Sequence, residues 1–129
     1  MLTANIGGAI LLLIANMKQP SRFDVPYGTL DLLVLRALES MGPQHGYGIA
    51  RRIEQVAEGA LSLNQGTIYP ALLRLEQKKW IKSEWGTSEN NRRARFYTIT
   101  AGGRKQLASE VENWAQTVAM VNRMLEGNS

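Results

Sequence analysis

The apolar residues of this chain change their spacing twice, and those two changes constrain the fold more than any other feature of the sequence. Leu30, Val34, Ala37, Leu38 and Met41 recur at helical intervals, as do Ile49, Ile53 and Val56, and then Ile68, Leu72 and Leu75. Over residues 80–85 and 95–100 the period drops to two. Both runs are rich in aromatic and β-branched residues, and the turn-forming stretch 86–91 separates them. From residue 101 the helical period returns, with Leu107, Val111, Trp114, Val118, Val121 and Leu125 stepping alternately by four and three. That spacing is the a/d seam of a heptad repeat. Three helices, a hairpin and a long last helix is the order of a winged helix-turn-helix, a mainly α fold with a small β-hairpin (α+β).

Punctuation residues set the boundaries. Two prolines and a glycine in residues 20–28 read as a linker, and Gly42-Pro43 stops the first helix. The second helix follows Gly46 and ends at Gly59, with Arg51, Arg52 and Glu54 facing out. Residues 61–63 are short enough for a turn or an edge strand. Asn64 is a good N-cap for a third helix reaching to about Lys79. Tyr69 and Leu73 flank its buried stripe, and Pro70 either kinks the first turn or delays the regular helix. The hairpin tip carries Arg92, Arg93 and Arg95, and the last helix runs to about Glu126. Tyr47, Ile49, Ile68 and Leu72 read as core. The expected organisation is an extension and linker over 1–26, a winged-helix domain over 27–100 and a dimerisation helix over 101–129.

Composition narrows the chemistry. The 129 residues include no cysteine and one histidine, His45. A disulfide framework, a zinc ribbon, thiol catalysis and a Ser-His-Asp triad are therefore poorly supplied, and the chain suits a reducing, cytoplasmic setting. His45 before Gly46 reads as a turn or cap residue. Glu84 and Glu89 read as surface charge, so no acid/base pair is in view and neither a metal nor a cofactor is expected. Nine of the 15 basic residues but only three of the 11 acidic ones lie between Arg74 and Lys105. That stretch is net +6 and the remainder net −2. Such a concentration marks a polyanion-facing surface or, more plainly, a solvated basic face.

Residues 6–15 form an uncharged apolar run, too short to span a bilayer and lacking the basic flank of a secretory signal. The run reads as an extension packing on the domain or a partner, as a membrane-surface anchor, or as a start codon placed ahead of a true start at Met17. The first and last of these are preferred, and a membrane association is not expected.

In a helix-turn-helix the second helix of the pair enters the major groove while flanking basic groups meet phosphates. The polar start of the third helix (Asn64, Gln65, Gly66, Thr67, Tyr69) and the wing arginines (Arg92, Arg93, Arg95) stand where that chemistry needs them. The plainer readings are capping and surface polarity for the first group and solvated charge for the second. Gly66 either permits close backbone approach to phosphate or eases the turn. Arg74 either binds phosphate or pairs with Glu76 or Glu110.

The ordered segments Gly28-Thr29-Leu30-Asp31, His45-Gly46-Tyr47-Gly48-Ile49, Gly66-Thr67-Ile68-Tyr69-Pro70-Ala71-Leu72, Arg74-Leu75-Glu76, Trp85-Gly86, Arg92-Arg93-Ala94-Arg95-Phe96-Tyr97 and Thr100-Ala101-Gly102-Gly103-Arg104 resemble the PadR family of transcriptional regulators. The resemblance runs from about residue 27 to 125. It implies a homodimer built through the last helix, with the third helix and wing on double-stranded DNA, usually as a repressor. The operator is then pseudo-palindromic, and the function is regulatory, not enzymatic. In family members that sense aromatic compounds, a tryptophan matching Trp114 lines a cavity at the dimer interface. Trp114 is thus the candidate effector residue, its plainer role being to fill the dimer core. Lys79 departs from the pattern, standing where a glycine usually ends the third helix. It must adopt a left-handed conformation or end the helix differently. A winged-helix module that docks a protein through the same hairpin is the rival reading.

Overall fold

The structure, a computed structural model, describes residues 27–127. The expectations for residues 1–26, including the apolar run 6–15 and a start at Met17, lie outside them. Four helices and three strands follow in the order α1 (Tyr27–Met41), β1 (Gln44–His45), α2 (Gly46–Val56), α3 (Gln65–Gln77), β2 (Ile81–Thr87), β3 (Arg93–Ile99) and α4 (Ala101–Leu125). This is the expected winged helix-turn-helix with one addition. The two-residue β1 joins the outer edge of the hairpin, giving an antiparallel sheet in the order β1-β3-β2. The linker expected through Gly28 also stops earlier, since α1 already includes Tyr27 and Gly28.

The helical stripes meet in one core. Leu30, Val34 and Leu38 of α1, Ile49 and Ile53 of α2, and Ile68, Leu72 and Leu75 of α3 are buried together. Ile81, Ile99 and Leu107 close that core from the sheet and α4. Each fully buried leucine or isoleucine contributes about 2–3 kcal/mol of transfer free energy. Two residues assigned to these stripes are exposed instead. Met41 lies at the end of α1, where left-handed Gly42 (φ 80°) ends the helix by donating to the Leu38 carbonyl. Val56, 65% exposed, is the last residue of α2, which stops before Gly59 because Glu58 already turns left-handed.

Glu54 does not face out. Its Oε2 accepts from the Leu63 N–H at 2.8 Å. Residues 61–63 are neither turn nor strand but an irregular connection that inserts Leu61 and Leu63 into the core. Asn64 holds the N-cap position of α3 and its carbonyl accepts from Thr67 and Ile68. Its side chain takes the Thr67 hydroxyl at 3.2 Å instead of capping the backbone. The helix runs unbroken through Pro70, whose missing donor falls on the exposed side. Lys79 resolves the departure at the helix end by adopting φ 62°. The Trp80 N–H then reaches back to the Leu75 carbonyl at 3.1 Å, closing a Schellman-type terminus without glycine.

The hairpin strands extend further than the alternation suggested, so Arg93 and Arg95 lie on β3 and only Arg92 belongs to the tip. At the base, Thr100 both ends the wing and caps α4. Its N–H donates to the Trp80 carbonyl, and its hydroxyl donates to the Lys79 carbonyl and accepts from Gly103. A Cβ on Gly103 would lie 2.0 Å from the Trp80 oxygen. Gly103→Ala is therefore expected to destabilise the fold by about 2–3 kcal/mol. Lys79→Gly, which relieves a left-handed side chain, should stabilise it by about 0.5–1 kcal/mol. Thermal unfolding of both variants checks the two opposite signs.

Candidate nucleic-acid interface

Strand alternation determines which wing residues share a face. Ile81, Ser83, Trp85 and Thr87 of β2 stand opposite Ile99, Tyr97, Arg95 and Arg93 of β3. The face that starts in the core at Ile81 and Ile99 therefore continues outward through Tyr97 to Trp85, Arg95 and Arg93. Across from it stand the beginning of α2 and the outer side of α3. Between these walls lies a cleft of about 810 Å3, lined on the wing side by Trp85, Arg92, Arg93 and Arg95 and on the helix side by Tyr47 and Tyr69.

The arginines are ordered by aromatic contact. The Arg93 guanidinium carbon lies 4.8 Å from the Trp85 ring centroid and that of Arg95 lies 5.6 Å from it, so one exposed tryptophan supports two cations. Arg95 also donates to Ser83 Oγ at 2.8 Å and lies 3.6 Å from Glu76. Among the described residues, neither Arg92 nor Arg93 has a carboxylate within ion-pair distance. Tyr69 rests on Gly46, where an added Cβ would lie 3.1–3.2 Å from its ring. His45 caps α2, its Nδ1 accepting from the Gly48 N–H at 3.0 Å, and packs edge-on against Phe96. It thus holds the α2 wall against the sheet.

Tyr69, Arg92, Arg93 and Arg95 are brought together in the cleft. Asn64, Gln65, Gly66 and Thr67 form the exposed first turn of α3 outside its lining. Arg74 points elsewhere, donating to Asp31 of α1 at 2.9 Å, a partner 43 residues away that no local pattern suggests. Tyr47 is not core. It is 67% exposed in the cleft, with Arg51 5.9 Å from its ring. The signal was available, because the buried α2 stripe is Ile49, Ala50 and Ile53, and Tyr47 falls on another side of that helix. Trp85, a strand residue and part of the family-like Trp85-Gly86 segment in the sequence, is a cleft residue as well, and alternation alone gives no sign of its contact with the arginines.

Beneath the cleft, burial holds the Tyr97 phenol above its ordinary pKa. The charge of Glu76 adds to this, while Arg95 opposes it. Along α4, Leu107 is buried, whereas Val111, Trp114, Val118, Val121 and Leu125 are 37–52% exposed. Trp114 forms part of a recess of about 220 Å3 with Leu32 and the first turn of α1. Among the described residues no three His, Cys, Asp or Glu side chains are grouped to hold a metal ion. No helix there is long and apolar enough to cross a membrane.

A family model described as the transcriptional regulator PadR-like family matches residues 34–109. Among solved structures, a transcriptional regulator from Clostridium thermocellum is 31% identical with a TM-score of 0.68, the match covering 74% of this chain and 92% of that one. A PadR family transcription regulator from Clostridium difficile is 33% identical with a TM-score of 0.63, over 74% of this chain and 97% of its own. An uncharacterized protein from Lysinibacillus sphaericus is 27% identical over 106 residues, 82% of this chain and 96% of that protein.

Two outcomes follow from the geometry of the cleft. Gly46→Ala should displace the Tyr69 ring, seen as a shift of its side-chain resonances, while leaving the helical content unchanged. A phenol whose pKa is raised by folding adds stability that is full below its unfolded pKa of about 10 and is lost as pH rises through the folded value. Tyr97→Phe should accordingly flatten the alkaline fall in stability, and parallel denaturant titrations between about pH 9 and 11 would detect the difference.

Proposed function

The chain belongs to the PadR-like family, whose members are transcriptional regulators and not enzymes, and from that premise we propose that it represses transcription as a homodimer bound to a pseudo-palindromic operator. The observation that carries the reading is the cleft. Its wing wall presents Arg92 and Arg93, free of carboxylate partners among the described residues, beside the exposed first turn of α3. A duplex whose major groove receives α3 would bring a phosphate strand past that wall. Gln65, Thr67 and Tyr69 are then the candidates for base-edge and sugar–phosphate contacts, with Asn64 and Gly66 allowing the backbone to approach. Tyr47 joins them from α2.

The exposed seam of α4 supports the dimer. A row of valines, a tryptophan and a leucine at heptad spacing, half open to solvent in the single chain, is the pattern that a partner helix covers. Residues 27–100 are then the DNA-reading unit, and 101–129 couple the two halves at a spacing of about one helical turn or a multiple of it. Trp114, beside the recess at α1, is the residue against which a small aromatic effector would stack to release DNA. The place of action is the cytoplasm.

Selection of genomic fragments with the purified protein, followed by salt-titrated binding to the enriched site, tests the reading. An inverted repeat bound by a dimer supports it. The absence of any enriched site, with affinity for a protein partner that is indifferent to salt, supports the rival interaction module. Arg92→Ala or Arg93→Ala should weaken binding to all sequences and lower the log–log salt slope by about one. Gln65→Ala should alter preference at one base step, by about 1–3 kcal/mol. Val118→Glu should leave a monomer in sedimentation. Saturable quenching of tryptophan emission by planar aromatic compounds, lost in Trp114→Phe, would establish the effector site, and no saturation across a diverse panel would remove it.

A further inference from the structure

The wing is fastened to α3 by a three-residue network. Ser83 of β2 donates its hydroxyl hydrogen to Glu76 Oε2 at 2.6 Å, and its oxygen accepts from Arg95 Nε at 2.8 Å. Arg95 closes the ring, its Nη2 lying 3.6 Å from the same Glu76 oxygen. One hydroxyl thus stands between a carboxylate on the helix and a guanidinium on the wing, and both wing strands contribute. The register explains the reach. Ser83 faces Tyr97, and Arg95 follows on the same side one pair further out, so its head group folds back toward the base. Arg93, a further pair outward, lies over the Trp85 ring and has no carboxylate within ion-pair distance among the described residues.

Resting on the DNA-binding reading above, we infer that Glu76, Ser83 and Arg95 form a tether that sets the angle between wing and recognition helix. That angle decides which phosphates Arg92 and Arg93 reach while α3 occupies the groove. Arg95 is a positioning residue and not a third phosphate ligand. A phosphate drawing Arg95 away would leave Glu76 held by the Ser83 hydroxyl but without its cation, a carboxylate facing a polyanion, which repels. A carboxylate so close to a DNA-facing cleft weakens the positive field that attracts DNA. Holding the wing in register offsets that loss. The charged ends make the hydrogen bonds short and directional, which suits them to fixing an angle.

Binding of the enriched duplex by Glu76→Gln, Ser83→Ala and Ser83→Thr tests the tether. Glu76→Gln and Ser83→Ala should each weaken binding about three- to tenfold with the salt slope unchanged. Ser83→Thr, which keeps the hydroxyl, should stay near wild type. The double variant Glu76→Gln/Ser83→Ala should be no weaker than the worse single one, because both cut the same link. Tighter binding by Glu76→Gln, with a salt slope steeper by about one, would mean that Arg95 had been freed to take a phosphate and would overturn the assignment. Unchanged affinity with only a lower melting temperature would also overturn it, leaving the network a support of the fold. Amide hydrogen exchange without DNA reads the tether separately. Faster exchange in β3 with α1 unchanged supports it, and unchanged β3 exchange refutes it. Should the wild-type protein bind no duplex, the proposed function fails while the exchange result still decides the tether.

Discussion

Thr100 joins the end of α3, the foot of the wing and the start of α4 through three hydrogen bonds. Its N–H donates to the Trp80 carbonyl, its hydroxyl hydrogen to the Lys79 carbonyl, and its hydroxyl oxygen receives the Gly103 N–H. The start of a helix leaves N–H donors that need partners, and the end of one leaves carbonyl acceptors. One side chain meets both needs where the end of α3, the foot of the wing and the start of α4 converge. The neighbouring peculiarities follow from this junction. Lys79 must turn left-handed to bring its carbonyl there, and Gly103 can carry no Cβ because the Trp80 carbonyl occupies that space.

Most of the architecture was legible because burial of one face imposes a period on the sequence. The stripes of α1, α2 and α3, the alternation of the hairpin and the heptad spacing of α4 each encode an element, and their order encodes the fold. What stayed hidden depends on contacts that periodicity does not carry. β1 has two residues, too few to show a period. Glu54 turned inward because a backbone N–H nine residues later needed an acceptor, and Arg74 found Asp31 on another helix. Tyr47 departs from the core reading for a different reason. Apolar character outweighed its position on the helical wheel, although Gly46 and Gly48 beside it offer no side chains to cover the ring.

The candidate site was legible as a list of charges but not as an arrangement. Arg92, Arg93 and Arg95 are near neighbours in sequence and read alike. In the fold one sits at a turn, one lies on a tryptophan and one is held by a serine and a glutamate. Long cationic side chains lose considerable rotamer freedom when they bind. Resting Arg93 on Trp85 spends part of that entropy in advance, which is the physical use of an exposed aromatic beside a mobile charge.

The small strand β1 has a consequence in time. It pairs Gln44 with Tyr97 and His45 with Phe96, joining positions more than fifty residues apart, whereas the α2 and α3 stripes belong to segments close along the chain. Loop-closure entropy delays contacts of that span relative to local ones. A chain emerging from synthesis thus assembles its helical wall first. The opposing wall, with its arginines, comes into place only when β3 has been made and has found β1, so the nascent protein carries no finished cleft until synthesis has passed Ile99.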